Sequence, residues 1–393
     1  MTYTIHLITS ELPPYSGGLE LWTRQFAHRL SKMGMHVIVY VCGNQLQPVS
    51  GGNEFEVVSL ASLRSPWEEP LYASTWVTEQ LLLERDRLNF LVLRNQLRSR
   101  IAAKHAGTHL IISNYSLTVG YLASLVAREL KIPHIAMVVG TDFSRGFRNA
   151  REKPTVEYVC RTAASVVVRN REQATSLIAE LGLERVFCIP TSFNPPATLP
   201  HPSRTTDRIV LLSDCGFRFK KGTGVLLDSF QTLLTEGYPV RLILYGDVAP
   251  DQMAYWNQRQ QNIMERFSPH AEFPGYVTQE DIHAAFRFAD IYCSATLGEG
   301  SSSSRIAAAC SGLPMVTTRC GEIDDDFEGV SHVRLSNVAD ADGFLTQLRS
   351  MVEDIQQGRL RIDMSAVERW RERFSAEREM SAWAALIEKV AGI

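Results

Sequence analysis

The sequence predicts an α/β protein with two doubly wound parallel sheets, on three observations. The chain has 393 residues, more than a single hydrophobic core usually serves. Short β-rich runs alternate with amphipathic helical patterns, which is typical of parallel strands joined by crossover helices. The alternation stops at residues 192–208, SFNPPATLPHPSRTTDR, where four prolines exclude a helix or a central strand. We therefore expect one domain over residues 1–195 and a second that begins at residue 196.

The first domain opens with the predicted strand YTIHLIT (residues 3–9), a Gly-Gly loop and the amphipathic segment LELWTRQFAHRLSKMG, whose apolar residues recur at helical spacing. A further helix is predicted over LTVGYLASLVAREL. The remaining predicted strands of this domain are HVIVYVC (36–42), THLIIS (108–113), HIAMVV (134–139), SVVVR (165–169) and RVFCIP (185–190). These elements predict one doubly wound sheet.

The pattern restarts after the proline-rich segment. The predicted strands are IVLLSD (209–214), VRLILYGD (240–247), EFPGYV, DIYCSA (290–295) and PMVTTR (314–319). Helices are predicted near 222–236 and 251–267 and over QEDIHAAFRFA, so a second sheet of the same kind is expected. The closing stretch AVERWRERFSAEREMSAWAALIEKV predicts one long helix with an apolar stripe.

The composition is that of an ordinary globular protein, with 45% apolar and 21% charged residues. No apolar run approaches the roughly 18–20 residues that span a bilayer, and the first residues lack a secretion-signal pattern, so a cytoplasmic location is expected. The net charge of -3 gives no reason to expect nucleic-acid binding. The seven cysteines are scattered without a CxxC pair, and we interpret them as reduced core thiols rather than catalytic groups.

Basic residues concentrate in residues 81–105, LLLERDRLNFLVLRNQLRSRIAAKH. Two of them, Arg94 and Arg98, share one face of the predicted helix. A solvated helix face explains this pattern. The alternative is attraction to a phosphate-bearing acceptor or to anionic lipid headgroups, which would hold the protein peripherally at the inner face of the membrane. The other basic residues of the segment are Arg85, Arg87, Arg100 and Lys104.

The candidate site lies in strand-to-helix loops, because open parallel sheets bind ligands at the carboxyl ends of their strands. Three loops have an unusual composition: PPYSGGLE (13–20), RFKKG (218–222) and LGEGSSSS (297–304). Glycine or serine at a helix N-terminus lets an anion approach the backbone amides, although serine is equally a helix cap. The basic residues of the second loop suit a diphosphate, although a basic loop can simply be solvated.

Glu299, in the third loop, is the residue that packing explains least. A carboxylate beside a phosphate site is unfavourable unless it accepts hydrogen bonds from another part of the ligand, such as sugar hydroxyls. Glu299 therefore indicates a ligand that is both a phosphate and a polyol.

Five stretches of the chain, in the family's order, resemble retaining glycosyltransferases of family four, the glycosyl transferases group 1. The stretches are PPYSGGLELWTRQFAHRLSKMGMHVIVY, FKKGTGVLLDSFQTLL, VRLILYGD, FPGYVTQEDIHAAFRFADIYCSATLGEGSSSSRIAAACSGLPMVTT and RFSAEREMSAWAAL. The resemblance implies the GT-B fold, in which two Rossmann-like domains face each other across a cleft. It places an acceptor on residues 1–195 and a nucleotide sugar on residues 196–370, and it implies that a C-terminal helix, about 371–393, crosses back onto the first domain.

The resemblance also implies roles for residues. Glu299 would bond the hydroxyls of the donor sugar, and Asp142 would bind an acceptor hydroxyl near the reaction or else serve only the fold. No metal or other cofactor is implied, because basic side chains and helix N-termini offset the charge of the leaving diphosphate. The implied donor-binding residues are Arg218, Lys221, Gly17, Gly18, Gly300, Ser301, Ser302 and Ser303 at the diphosphate, with Tyr276 and Val277 toward the base.

Three positions depart from the family's pattern. Ala307 stands where the family has a second glutamate that grips the nucleotide ribose, and Ser303, one helical turn earlier, could reach the ribose instead. Cys215-Gly216 stands where Gly-Arg is usual, and Val139 occupies the place of a histidine found in many members.

These departures leave two functions open. The first is an active retaining glycosyltransferase with a saccharide or lipid-linked acceptor, in bacterial surface polysaccharide biosynthesis. The second is a catalytically silent, glycosyltransferase-like binding or partner protein. A third reading, phosphorolysis or epimerisation of a nucleotide sugar, has less support, since no lysine-bound cofactor motif is present.

Overall fold

The computed structural model describes residues 3–10, 12, 18–42, 54–60, 84–104, 107–140, 142–150, 152–193, 208–249, 252–323 and 325–392. The chain divides into two compact units. The first unit is Met1–Thr191 together with Glu377–Ile393, and the second is Ser192–Ala376. Most of the predicted linker at 192–208 lies outside the described residues.

The first unit contains a seven-stranded sheet in the order β3-β2-β1-β4-β5-β6-β7, with every neighbouring pair parallel. The strands are β1 (Tyr3–Thr9), β2 (His36–Val41), β3 (Glu56–Ser59), β4 (Thr108–Ser113), β5 (His134–Val138), β6 (Ser165–Val168) and β7 (Val186–Cys188). The helices are α1 (Gly18–Lys32), α2 (Glu84–Ala102), α3 (Val119–Leu130), α4 (Lys153–Thr162) and α5 (Arg171–Leu181), with the C-terminal helix Ala376–Ala391.

Apolar residues line both faces of this sheet, as a doubly wound fold requires. Leu7 of β1 packs on one face, in a core with Trp22 of α1 and Trp383 of the C-terminal helix. Ile8, one residue further along β1, packs on the opposite face against α2 and α3. The alternation follows from the two-residue period of a strand.

The closing stretch forms two helices, so the prediction of one long helix is wrong. The first helix is Met364–Arg373, with Phe374 as its C-cap. The second helix, Ala376–Ala391, begins after Ser375. The backbone carbonyl of Phe374 accepts from the N–H of Phe193, 2.8 Å away, and its ring is buried in the core of the second unit. This tertiary packing ends the first helix although the sequence pattern continues.

The second unit contains a six-stranded parallel sheet in the order β10-β9-β8-β11-β12-β13. Its strands are β8 (Ile209–Ser213), β9 (Val240–Tyr245), β10 (Ala271–Gly275), β11 (Ile291–Ser294), β12 (Met315–Thr318) and β13 (Val333–Ser336). Its helices are α6 (Thr223–Thr235), α7 (Met253–Phe267), α8 (Gln279–Ala285), α9 (Ser303–Ser311), α10 (Ala341–Gln356) and α11 (Met364–Arg373). The predicted fold of two doubly wound parallel sheets is therefore confirmed.

The small residues of α9 explain how that helix lies against its sheet. Ala307, Ala308 and Ala309 are fully or almost fully buried in one core cluster. Alanine side chains let the helix approach the strands closely. The N-terminus of α9 is consequently fixed at the carboxyl ends of β8 and β11.

Six of the seven cysteines are buried, and Cys188 is exposed; all seven are free. Burial raises the pKa of the Cys42 thiol to about 12, so this thiol stays protonated at neutral pH. Among the described helices, none is long and apolar enough to cross a membrane.

Candidate functional site

Loops of the second unit converge at the carboxyl ends of its strands because glycines permit close approach. Gly222 has φ +66°, and a Cβ added there would overlap the carbonyl oxygen of Ala295 after β11. Gly216 has φ +60°, and a Cβ there would lie 2.9 Å from the carbonyl oxygen of Asp247 after β9. Only glycine combines this conformation with this spacing. The loop after β8 is thus held against the loops on both sides.

Lys221 and Glu299 come together at this edge and form an ion pair. The Glu299 side chain is only 12% exposed. Burial raises the pKa of Glu299, but Lys221 and Arg305 offset this effect, and the pKa lies below its ordinary value. Glu299 is therefore a carboxylate at neutral pH. In the part of the chain that the structure describes, Lys221 is the only hydrogen-bond partner of this carboxylate, which leaves acceptor capacity for a ligand.

Arg305 lies beneath this pair and was not singled out from the sequence. It is fully buried and forms a bidentate ion pair with Glu322, with N–O distances of 2.9 and 3.0 Å. Burial lowers the pKa of Arg305, but Glu322 opposes this and the net direction is upward. A lone arginine in the small apolar run of α9 is the sequence signal that could have found it. Its permanent charge helps to keep Glu299 ionised.

The serine run forms the N-terminus of α9. Ser302 is the N-cap, and its side chain accepts from the N–H of Arg305 at 3.4 Å. Ser301 carries a buried hydroxyl oxygen without a hydrogen-bond partner among the described groups. Ser303 is the first residue of α9, and Gly300 is buried two residues before the N-cap. The structure thus gives Ser302 a capping role, while the Ser301 hydroxyl and the first amides of the helix remain suited to an anion.

The other residues predicted for the donor occupy different environments. Arg218 is exposed, on the loop that also carries Lys221. Tyr276 is 55% exposed, and its backbone N–H donates to the Asp247 carboxylate at 3.2 Å, which fixes the loop after β10. Val277 is half-buried beside it. All three lie on loops at the carboxyl edge of the second sheet.

The positions that depart from the family's pattern are built into the fold. Ala307 is fully buried in the core under the sheet. Cys215 is buried, and Gly216 makes the close loop approach described above. In the first unit, Val139 packs against the core beside β5, and its N–H donates to Asp142.

Asp142 has the environment of a residue that organises its loop. It is fully buried, and one carboxylate oxygen accepts from the N–H and hydroxyl of Ser116 at 2.9 and 2.8 Å. The other oxygen accepts from the backbone N–H groups of Val139, Gly140 and Phe143, at 3.1, 2.8 and 3.1 Å. These hydrogen bonds lower the pKa of Asp142, but burial raises it more, so the pKa lies above its ordinary value. This geometry favours the structural alternative for Asp142.

Gly18 is exposed at the first position of α1, whereas Gly17 lies outside the described residues. A Cβ added at Gly18 would meet no described atom within 4 Å. No described group therefore blocks the approach of a ligand to the first amides of α1. The predicted role of these glycines stays a prediction.

Three basic residues of the segment at 81–105 have acidic partners in the first unit. Arg94 pairs with Glu129, Arg98 lies 3.9 Å from the same carboxylate, and Lys104 lies 3.0 Å from Glu56. These pairs reduce the net positive charge of the surface and favour the interpretation as a solvated helix face. The side chains of Arg85 and Arg87 lie outside the described residues.

Within the described ranges, no three or more His, Cys, Asp or Glu side chains are grouped so that they could hold a metal ion. The expectation that no metal is needed stays a prediction.

Comparisons with known proteins bear on both the family and the fold. Residues 207–354 match the family described as glycosyl transferases group 1. No curated protein matches the chain significantly. Among solved structures, a sucrose-phosphate synthase from Thermosynechococcus elongatus is similar with a TM-score of 0.74 and 17% identity, over 98% of each chain.

Two further solved structures are similar over nearly the whole chain. The Anabaena protein HepE, in complex with UDP-glucose, has a TM-score of 0.72 and 16% identity, over 98% of this chain and 99% of that one. The lipopolysaccharide outer core galactosyltransferase WaaB has a TM-score of 0.71 and 12% identity, over 99% of each chain. These likenesses establish the GT-B fold, and the family match confirms the resemblance to glycosyl transferases group 1 over residues 207–354.

Proposed function

We propose that this chain, which has the GT-B fold and matches glycosyl transferases group 1 over residues 207–354, is a retaining glycosyltransferase. It moves a sugar from a nucleotide-sugar donor to a saccharide or lipid-linked acceptor, in bacterial surface polysaccharide biosynthesis. The observation that carries the proposal is the Lys221–Glu299 pair beside the N-terminus of α9.

The chemistry of that pair matches the two ends of a sugar diphosphate. The ammonium of Lys221 can leave Glu299 for a phosphate oxygen, and the carboxylate can then accept from sugar hydroxyls. The Ser301 hydroxyl and the first amides of α9 supply further donors. Arg218 adds a second cation, which is exposed. Together these groups can stabilise the negative charge that develops on the leaving diphosphate without a metal ion.

Binding and turnover with UDP-glucose test this proposal, because the similar Anabaena protein holds that compound. Glu299→Gln keeps the shape of the side chain and removes its charge. We expect UDP-glucose hydrolysis or transfer to fall by about 100-fold or more, and UDP binding to change much less, since Glu299 faces the sugar. Unchanged turnover in this variant would remove the assigned role.

The retaining outcome is tested by the product. Proton NMR of the first-formed glycoside shows whether the anomeric configuration of the donor is kept. An inverted product would contradict the proposal while leaving nucleotide-sugar binding intact.

The second candidate is a catalytically silent binding protein, favoured by the fully buried Ala307 and by Val139. Calorimetry with a panel of nucleotides and nucleotide sugars separates the two functions. An enzyme binds its donor tightly and hydrolyses it slowly without acceptor. A chain that binds none of them at millimolar concentration is the binding protein instead.

Peripheral membrane contact through residues 81–105 is part of the proposal for a lipid-linked acceptor. We expect the chain to co-sediment with vesicles containing phosphatidylglycerol at low salt and to be released as ionic strength rises. The variant Arg98→Glu/Arg100→Glu changes two exposed residues of α2 and should weaken this binding. Equal recovery on neutral phosphatidylcholine vesicles would contradict membrane attraction.

A further inference from the structure

A second carboxylate, Asp214, lies at the carboxyl end of β8 close to the Lys221–Glu299 pair. Leu212, two residues earlier, packs in the same core cluster as Tyr292 and Ala307. The two-residue period of a strand therefore directs Asp214 to the face of the sheet that α9 covers. Asp214 is only half-buried, so it lies at the open end of that face.

Hydroxyl groups fix the orientation of this carboxylate. Tyr292 donates to Oδ1 at 2.6 Å, and Ser304, in the first turn of α9, donates to Oδ2. Each carboxylate oxygen has about two lone pairs, so each can accept one more hydrogen bond. No other described residue supplies one. Asp214 is thus oriented in advance and retains acceptor capacity toward a ligand.

The surroundings of Asp214 continue the candidate site. Two carboxylates act on Lys221. Burial lowers the pKa of Lys221, but Glu299 and, to a smaller extent, Asp214 raise it, so the pKa lies above its ordinary value. Glu299, Lys221 and Asp214 therefore lie near one another at the carboxyl edge of the second sheet, on the loops that follow β8 and β11. His283 of α8 lies near enough to Asp214 for this carboxylate to raise its pKa against the effect of burial, and its buried Nε2 has no partner among the described groups.

We propose that Asp214 accepts hydrogen bonds from the ribose hydroxyls of the nucleotide, and so provides the carboxylate that position 307 lacks. A nucleotide sugar has a sugar, a diphosphate and a ribose, and the site offers a carboxylate, an ammonium and a second carboxylate for them in Glu299, Lys221 and Asp214. Carboxylates near the ends of parallel strands bind ribose hydroxyls in other nucleotide-binding sheets. This inference rests on the proposed function, since it requires a nucleotide in the second unit.

The role differs from the one assigned to Ser303 from the sequence. Ser303 lies one turn before Ala307 on α9, whereas Asp214 reaches the site from β8. A carboxylate is the stronger acceptor, because a hydrogen bond to a charged group is roughly twice as strong as a neutral one.

Affinities for UDP and for 2′,3′-dideoxy-UDP, which lacks both ribose hydroxyls, test the inference by calorimetry. We expect the wild type to bind UDP at least about tenfold more tightly than the dideoxy compound. Asp214→Asn should weaken UDP binding by about tenfold and leave the dideoxy compound within about threefold. Asp228→Asn, the same change at an exposed carboxylate on α6, is the matched control and should alter neither affinity.

A purely structural role for Asp214 predicts a different result. If Asp214 only anchors α9, then Ser304→Ala should reproduce Asp214→Asn, and UDP and the dideoxy compound should weaken equally. That outcome overturns the inference. A wild type that binds both compounds equally well also overturns it, but leaves the proposed function intact. A wild type that binds neither compound, nor any other nucleotide, overturns the proposed function as well.

Discussion

His134 is an uncharged histidine at the start of β5 in the first unit. Its Nε2 lies 2.9 Å from the Ser113 hydroxyl and its Nδ1 lies 3.3 Å from the Ser124 hydroxyl. Burial lowers its pKa to about 3, so the folded protein keeps the ring neutral down to that pH. The unfolded chain takes up a proton near pH 6.5. Stability is therefore lost as pH falls below about 6.5, because only the unfolded state binds the proton.

We expect His134→Gln to remove the proton that the unfolded chain takes up at this position, and so to weaken the dependence of stability on pH. Between pH 7 and 5 the stability of the first unit should fall by about 2 kcal/mol less in the variant than in the wild type. Hydrogen exchange of peptides from that unit measures the difference. A variant with the wild-type pH dependence would show that His134 titrates normally in the folded protein.

Two Arg–Glu ion pairs of the second unit differ in how deeply they are buried. The side chains of Arg305 and Glu322 are 0% and 1% exposed, whereas those of Arg319 and Glu328 are 44% and 53% exposed. Arg305→Met leaves a buried carboxylate unpaired and should destabilise the unit by about 3–5 kcal/mol. Arg319→Met should cost less than about 1 kcal/mol. Hydrogen exchange in residues 208–376 reports both.

The double variant Arg305→Met/Glu322→Leu checks the cause of the loss. Replacing both charges by apolar groups should restore much of the stability, because no buried charge remains unpaired. If the double variant is as unstable as Arg305→Met alone, the loss comes from packing and not from the carboxylate.

At this scale the sequence predicted residues that carry a local signal and missed those that act through tertiary contacts. Glu299 and Lys221 stand out because they lie beside glycine and serine at predicted strand-to-helix junctions, where an anion can approach the backbone amides. Arg305 acquires its role from Glu322, seventeen positions away, and Asp214 acquires its orientation from Tyr292 and Ser304. Such pairings depend on strand order and register, which one sequence does not contain.

Among the elements, the loop after β8 depends on glycine at two positions, and Gly222 makes the closer backbone approach. Gly222 has φ +66° and lies against the backbone of Ala295, whereas Gly237 has φ +86° with open space around it. We expect Gly222→Ala to lower the free energy of unfolding by about 3 kcal/mol or more, because the cost of backbone strain is added to that of a clash with a carbonyl. Gly237→Ala bears only the backbone strain, about 1–2 kcal/mol.

Thermal unfolding and UDP affinity distinguish the two glycine variants. Gly222→Ala should lose both stability and UDP binding, since the loop positions Lys221. Gly237→Ala, at the far end of α6, should lose some stability and keep its affinity. Equal affinities in the two variants would show that the loop shape does not matter to the ligand.

The existence and approximate ends of most elements follow from the sequence, but two short strands and one helix break do not. Helix α6 was predicted near 222–236 and spans Thr223–Thr235, since its apolar period is regular. The short strands β3 and β13 were not predicted, because four residues at a sheet edge leave little periodicity. The break at Phe374 was missed because the contact with Phe193 that ends α11 lies far away in the chain.

At the scale of the whole molecule, the first unit is formed by two separate parts of the chain, Met1–Thr191 and Glu377–Ile393, whereas the second unit is one continuous segment. The C-terminal helix buries Met380, Trp383, Leu386 and Ile387 in that unit. Its Glu379 accepts from Trp22 at 2.8 Å and pairs with the buried Arg169 at 3.1 Å. The helix is therefore part of the core of the first unit although it follows the second unit in sequence.

A chain that ends after residue 375 tests this arrangement. Four buried apolar side chains at roughly 1.5–3 kcal/mol each, together with the loss of the partner of Arg169, approach the whole stability of a typical domain. We expect hydrogen-exchange protection to collapse in residues 3–191 and to persist in residues 208–375, where the second sheet and its helices are intact. A chain that ends at Ala391 removes only residues beyond the helix and should match the full chain. Protection retained throughout the first unit of the shorter chain would show that the C-terminal helix is an accessory to that core rather than a part of it.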